Sequence, residues 1–423
     1  MWHFLEDTKE VPMTIDPYLA RLQNHLASNQ YSSKVADRCV AVSGYFLRFL
    51  NKHHVTAETA QPEHVQAYLR EALRTYRRLH GHPPPAEAGW RCSHTSGIHM
   101  LLRLVQGQWP PKSIPTGPVQ EFHAQLCDEY VQWLREFRGL ATETISGHHE
   151  FVSRLLSWLG ERATKSTLAD LVVGDIDSFV AAQAPRWRRT TRKSAALYLR
   201  SFLRYLHGRH LIRRDLSKTV IAPRVYELEN IPSTLKAEDI AAVLRAVRQD
   251  KSAKGRRDLA IVTLLATYGL RAGEITALRL EDIDWRREQV RVRHSKTGHE
   301  TLLPLVKPVG DALLAYLQKA RPKVAAREVF IRVRAPYRPL RNGSSLYTGI
   351  VRRLEEAGVK WRGKHGPHAF RHARAVSLLR AAVPSKVIGD VLGHRASAST
   401  AVYLKLATDD LRKIALDVPE VKS

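Results

Sequence analysis

Gly366-Pro367-His368-Ala369-Phe370-Arg371-His372, followed by Leu392-Gly393-His394 and then Tyr403, is the run on which the reading of this chain turns. Pro367 suits the first position of a helix, where its missing N–H would have no partner in any case. One turn of that helix places His368 and Arg371 three residues apart on one face. From Pro384 to Leu392, the apolar residues Val387, Ile388, Val391 and Leu392 recur at helical spacing, and Gly393 fits the stop. His394 follows the glycine directly. A short helical pattern over 399–406 then presents Tyr403. Within it His368 and His394 offer two imidazoles, Arg371 a fixed positive charge and Tyr403 a phenol, each at an element end or on a polar face.

Two features upstream belong with it. Thr267-Tyr268-Gly269-Leu270-Arg271-Ala272-Gly273-Glu274-Ile275 follows an apolar helical stretch and sets Arg271 just past a glycine stop. Ser295-Lys296-Thr297-Gly298-His299 is a turn between two strand-like runs. In the order and spacing of Arg271, Lys296, His368-x-x-Arg371, His394 and Tyr403, the chain from Ile231 to about Leu406 resembles the tyrosine recombinases, the phage-type integrases.

The resemblance implies roles for these residues. Arg271 and Arg371 would hold the non-bridging oxygens of a DNA phosphodiester and stabilise the charge of the pentacoordinate transition state. Tyr403 would be the nucleophile. Its phenol, near pKa 10 when unperturbed, must lose a proton, which His368 could accept. Lys296 would protonate the leaving 5′ oxygen, and His394 would hydrogen-bond the scissile phosphate. Glu274 matches the acid that orients the arginine clamp. Covalent attack conserves the energy of the phosphodiester, so no nucleotide cofactor is expected. No carboxylate metal cluster or phosphate-cradling glycine loop stands out, so no metal is expected either.

Composition agrees with a polyanionic partner. The chain has 423 residues, with 67 Lys and Arg against 41 Asp and Glu, a formal net charge of +26. That excess favours nucleic acid. A membrane partner is not expected, since no long apolar run or amphipathic anchor appears. The three cysteines, Cys39, Cys92 and Cys127, lack ligand spacing and fit a reducing compartment. The first residues, Met1-Trp2-His3-Phe4-Leu5-Glu6-Asp7, lack the pattern of a signal peptide, so a bacterial cytoplasmic, nucleoid-associated protein is expected.

The predicted fold is mainly α, multidomain, with a small β-hairpin or sheet in the catalytic domain. Three domains are expected: an extra helical block at 1–112, a helical core-binding block at 119–222, and a catalytic domain at 232–423. His82-Pro83-Pro84-Pro85 breaks the first block into a loop, and 108–118, rich in proline, reads as a linker. The two helical blocks echo each other with a spacing of about 110 residues, which suggests a repeat. In the second, Ala195, Leu199, Phe202 and Leu206 share one helix face, opposite Lys193, Arg200, Arg204 and His207. Arg188, Arg189 and Arg192 lie at its start. Charges of one sign repel one another unless a polyanion joins them, so Arg188, Arg189, Arg192, Lys193, Arg200 and Arg204 are the expected DNA contacts. In the third domain, Ser233 or Thr234 is expected to cap a helix containing Ile240. Residues 284–305 read as a hairpin with Lys296 at its tip, and 329–333 as a third strand.

The whole points to a site-specific DNA recombinase of a mobile element or prophage. It would act on double-stranded DNA as a homo-tetramer or as a hetero-oligomer with related recombinases. A type IB topoisomerase resembles the same site but works as a monomer. The tail, 409–423, matches segments that dock on a neighbouring protomer in the recombinases and so points away from it. The alternative of another class is a non-catalytic DNA-binding accessory protein, for which Tyr403 would have no use.

Overall fold

The computed structural model describes residues 16–111, 115, 117–225, 234–294, 298–340, 343–361 and 365–393. The chain divides into two compact units, Lys112–Glu229 and the pair of segments Met1–Pro111 and Asn230–Ser423.

Among the described residues the first segment holds four helices: α1 (Pro17–Ser28), α2 (Ser33–Lys52), α3 (Pro62–His80) and α4 (Glu87–Gln106). Asp16 caps α1 by accepting the Tyr18 N–H at 2.8 Å, with Pro17 in the first turn. Its apolar faces meet: Phe46, Tyr68, Leu69, Ile98 and Leu102 are buried together. Phe46 and Tyr68 lie edge to face, 5.5 Å between centroids. Each such ring contributes about 1.5–3 kcal/mol by leaving water. A Cβ on Gly97 would come within 2.9 Å of the Cys39 carbonyl oxygen, so only glycine lets α4 cross α2 this closely. The expected loop at His82–Pro85 is present, between the end of α3 at His80 and the start of α4 at Glu87. Trp109, expected in the linker, is buried in this block's core.

The middle unit holds α5 (Pro118–Glu136), α6 (Thr142–Leu159), α7 (Val173–Gln183) and α8 (Arg189–Gly208). Leu126, Tyr130, Leu155, Phe179, Phe202 and Leu206 are among its buried side chains. The Tyr130 hydroxyl lies 2.9 Å from both His148 Nδ1 and Ser201 Oγ, which ties α5 to α6 and α8. Here α5 packs on α6 and α6 on α8, just as α1 packs on α2 and α2 on α4.

The C-terminal segment is built on α10 (Ala253–Tyr268), whose sides are nearly all buried. Around it lie α9 (Ala237–Gln249), α12 (Lys307–Lys319), α13 (Gly343–Glu356) and α14 (Pro367–Arg380). The short α11 (Ala272–Ala277) and α15 (Ser385–Leu392) complete the described helices. Arg353, 5% exposed, donates through Nε to Asp258 at 2.9 Å and through Nη2 to Asp250 at 2.7 Å, joining α13 to α10 and to the turn before it.

Strands β1 (Ile283–Asp284), β2 (Gln289–Arg293) and β3 (Glu300–Pro304) form one antiparallel sheet in the order β1-β2-β3. Two expectations are corrected here. The third strand is β1, whereas 329–333 makes only an isolated bridge between Ile331 and Pro339; Val329, Phe330 and Ile331 are buried by packing rather than by a ladder. The helix containing Ile240 starts at Ala237 after Lys236, whose N–H is taken by the Asp239 carboxylate at 3.1 Å, so Thr234 is not its cap; Ser233 lies outside the described residues. Among the described residues no helix is long and apolar enough to cross a membrane.

Candidate active site

The site begins where α10 ends. Gly269 stops the helix in the left-handed region at φ 66°, with its N–H on the Leu265 carbonyl at 3.0 Å. A Cβ at this position would also meet Leu392 Cδ2 at 3.0 Å, so both conformation and space require glycine. Two residues on, Arg271 starts α11. Its backbone N–H donates to Glu274 Oε2 and its Nη1 to Glu274 Oε1, both at 2.7 Å. Its Nη2 reaches the Gly393 carbonyl oxygen at 3.1 Å.

Arg371 approaches the same turn from α14. Pro367 occupies the first turn of that helix, as its position in the sequence implies. Arg371 is 3% exposed; its Nη1 donates to the Gly269 carbonyl at 2.9 Å and its Nη2 to the Leu392 carbonyl. Consecutive carbonyls, of Leu392 and Gly393, therefore receive the two arginines. Helix α15 ends there at a left-handed Gly393, φ 62°, and the next residue in the sequence is His394. A buried guanidinium held by backbone oxygens is a charge fixed in advance, the arrangement that stabilises a developing anion without reorganisation. Arg271 keeps part of its side chain, 21%, open to solvent.

His368 is exposed at the start of α14, and its ring lies 6.4 Å from that of His372 one turn on. Burial, with the nearby His368 and Arg371, pushes His372 down to about 4, so it is neutral at neutral pH. Of that pair His368 is the more exposed, and it is the candidate base.

Glu274 is 4% exposed. Burial alone would raise its pKa; the hydrogen bonds from His294 and Arg271 and the charge of Arg271 outweigh this and hold it at about 2. A carboxyl depressed from its ordinary 4.5 stabilises the fold above that value and loses the contribution as pH falls toward about 2. The stability gap between the wild type and Glu274→Gln is therefore expected to be full at pH 7 and to shrink between about pH 4.5 and 2. Urea unfolding at both ends of that window checks it; a gap independent of pH would contradict it.

His294 is the residue that the sequence reading did not assign to the site. It is 2% exposed, with Nδ1 2.7 Å from Glu274 Oε1 and Nε2 2.9 Å from Thr301 Oγ1. The available signal was its inward place in the alternation Val290, Val292, His294: a polar ring on a buried face needs partners.

Of the expected catalytic set, the structure brings together Arg271 and Arg371, with Glu274 beneath the first, and places His368 at the start of the helix that carries Arg371. Lys296, His394 and Tyr403, like the tail after it, lie outside the described residues. Among the expected DNA contacts, Arg188, Arg189, Lys193 and Arg204 are exposed. Arg192 is exposed too, with Nη2 on the Ala184 carbonyl at 2.7 Å. Arg200 is half-buried and places Nε and Nη2 on the Val220 carbonyl, at 3.2 and 2.7 Å, so its fork ties down the end of its own block. Among the described residues no cluster of His, Cys, Asp and Glu is placed to hold a metal ion.

Residues 233–409 match the model of the phage integrase family. The integrase/recombinase y4gC of Sinorhizobium fredii is 63% identical over 189 residues, 45% of this chain and 97% of the relative. The integrase/recombinase y4rA of the same organism is 36% identical over 296 residues, 70% of this chain and 71% of the relative. The fold resembles that of a lambda integrase dimer bound to a COC′ core site, with a TM-score of 0.52 at 17% identity, over 71% of this chain and 99% of that one. With two arginines converging on one turn and relatives matched along most of its length, this chain belongs to the phage integrase family, the tyrosine recombinases of site-specific DNA recombination.

Proposed function

We propose that the protein cleaves and rejoins double-stranded DNA through a 3′-phosphotyrosyl intermediate on Tyr403, in the service of a mobile element or prophage. The observation that carries this is the convergence of Arg271 and Arg371 on the Leu392–Gly393 turn, next in sequence to His394. In this reading the Tyr403 oxygen, its proton passed to His368, attacks the phosphorus. The bond from phosphorus to the 5′ oxygen breaks, and Lys296 protonates that oxygen as it leaves. A 5′-hydroxyl of the partner duplex then reverses the step, so no bond energy is lost and no cofactor is consumed. Two duplexes contain four strands and each copy carries one nucleophile, which suits a tetramer, of this chain alone or with related recombinases. The excess of basic residues suits association with the bacterial nucleoid.

Lys296→Ala tests the assignment of the acid. Cleavage should fall with a normal substrate and recover with a 5′-thiolate leaving group, which needs no proton. A thio substrate that gives no relief removes Lys296 from that role.

The block before residue 112 is proposed as an additional DNA-binding domain. In it α1 packs on α2 and α2 on α4 as α5 packs on α6 and α6 on α8, and α3 carries Arg70, Arg74, Arg77 and Arg78. Each phosphate it neutralises should steepen the salt dependence by roughly 0.9 log unit per log unit of salt. Truncation at Lys112 should shorten the footprint and flatten that slope while cleavage of a nicked core site persists. An unchanged footprint and slope with lost synapsis would show that the block binds protein.

A further inference from the structure

We propose that His294 is a positioning residue for strand cleavage: it holds Glu274, and through it Arg271, in register with the turn that leads into His394 and with the hairpin that carries Lys296. The inference rests on the function proposed above. Three contacts support it, and each reaches a different part of the site.

The first is to Glu274. Oε1 of that carboxylate receives both Arg271 Nη1 and His294 Nδ1, at 2.7 Å each, while Oε2 takes the Arg271 backbone N–H. A carboxylate accepts only, so Nδ1 carries the hydrogen. In the neutral ring Nε2 then accepts from the Thr301 hydroxyl on β3. The imidazole is held at both ends, which fixes the plane in which it presents Nδ1.

The second is to Gly393. A Cβ on that glycine would lie 2.5–2.6 Å from three atoms of the His294 ring, so the ring rests directly against the Gly393 backbone. The carbonyl of this same residue receives Arg271 Nη2. His294 and Arg271 therefore meet the turn before His394 side by side.

The third is through the backbone. The His294 N–H donates to the His299 carbonyl and the His294 carbonyl accepts the Gly298 N–H, both at 2.8 Å. These two bonds join the end of β2 to the start of β3, between which Lys296 lies in the sequence. One residue thus links the arginine, the turn and the loop, and misplacement of catalytic groups by about 1 Å can cost about a hundredfold in rate.

The test uses the full chain with His294→Leu, which keeps bulk and loses both polar ends, and His294→Asn, which keeps a donor at the Nδ1 position. Single-turnover cleavage of a nicked duplex, gel-shift affinity and melting temperature are measured for each. His294→Leu should cleave at least about tenfold more slowly with affinity within about twofold of wild type, and His294→Asn should recover most of the rate. A purely structural role would lower the melting temperature of both without separating rate from affinity. The proposal is overturned by His294→Leu cleaving at the wild-type rate, or by Asn and Leu being equally slow. Should His294→Leu fail to fold, His294→Gln replaces it: Asn faster than Gln supports the idea, and equal rates overturn it. A wild-type chain that forms no covalent link overturns the proposed function and this inference together. One that cleaves while His294→Leu matches it overturns this inference alone.

Discussion

Arg371→Ala is expected to lower strand cleavage by roughly a hundredfold or more, as removal of an oxyanion donor does. The structure adds a reason why the loss cannot be read from activity alone. Arg371 is 3% exposed and donates to the Gly269 and Leu392 carbonyls, so alanine strands two buried acceptors. Each costs about 1–3 kcal/mol when left unpaired. The melting temperature should therefore fall with the rate. Arg371→Lys separates the two effects. It keeps the charge but not the planar fork, and one ammonium cannot reproduce the geometry of both bonds. It should regain much of the stability and little of the rate, measured by single-turnover cleavage beside thermal unfolding. Wild-type cleavage in Arg371→Lys would contradict the clamp. Arg271→Ala, at a partly open site, should lose a comparable factor in rate with a smaller loss of stability.

The larger effect is expected at Tyr403. Tyr403→Phe removes one oxygen and keeps the ring, so packing and charge change little. If that oxygen is the nucleophile, no other group in the proposed set can form the covalent bond, and the protein–DNA adduct should vanish. The gel shift should remain, because the expected phosphate contacts lie on α8 and in the arginine pair. A denaturing gel of protein incubated with a nicked duplex reads the adduct, and a native gel reads binding. Loss of both would mean that the tyrosine supports the fold. An undiminished adduct would place the nucleophile elsewhere.

How much of this was legible in the sequence depended on how local the cause was. Pro367 at a helix start, and Gly269 and Gly393 at helix ends, act through their own backbone and were read from position alone. The inward face of β2 was legible for the same reason, since alternation sets it. The buried tie between His294 and Glu274 was not, because it depends on β2 lying against α11, a pairing that no local pattern encodes. Arg200 looked like a phosphate contact because it shares a helix face with Lys193 and Arg204; its bond to Val220 comes from the chain folding back after α8. The apolar run at 329–333 satisfied a strand pattern, yet its neighbours provide only isolated bridges. Burial without a ladder cannot be told from a strand by composition.

The central claim, that this chain breaks DNA by forming a bond to Tyr403, is tested most directly by finding that bond. The wild-type protein is incubated with a nicked duplex whose short leaving strand diffuses away, the adduct is digested with trypsin, and the nucleotide-bearing peptide is sequenced by mass spectrometry. The account predicts a 3′-phosphate ester on Tyr403 in the peptide 396–405, which trypsin releases after Arg395 and Lys405. A nucleotide on any other residue, or cleaved DNA with no peptide attached, would contradict it.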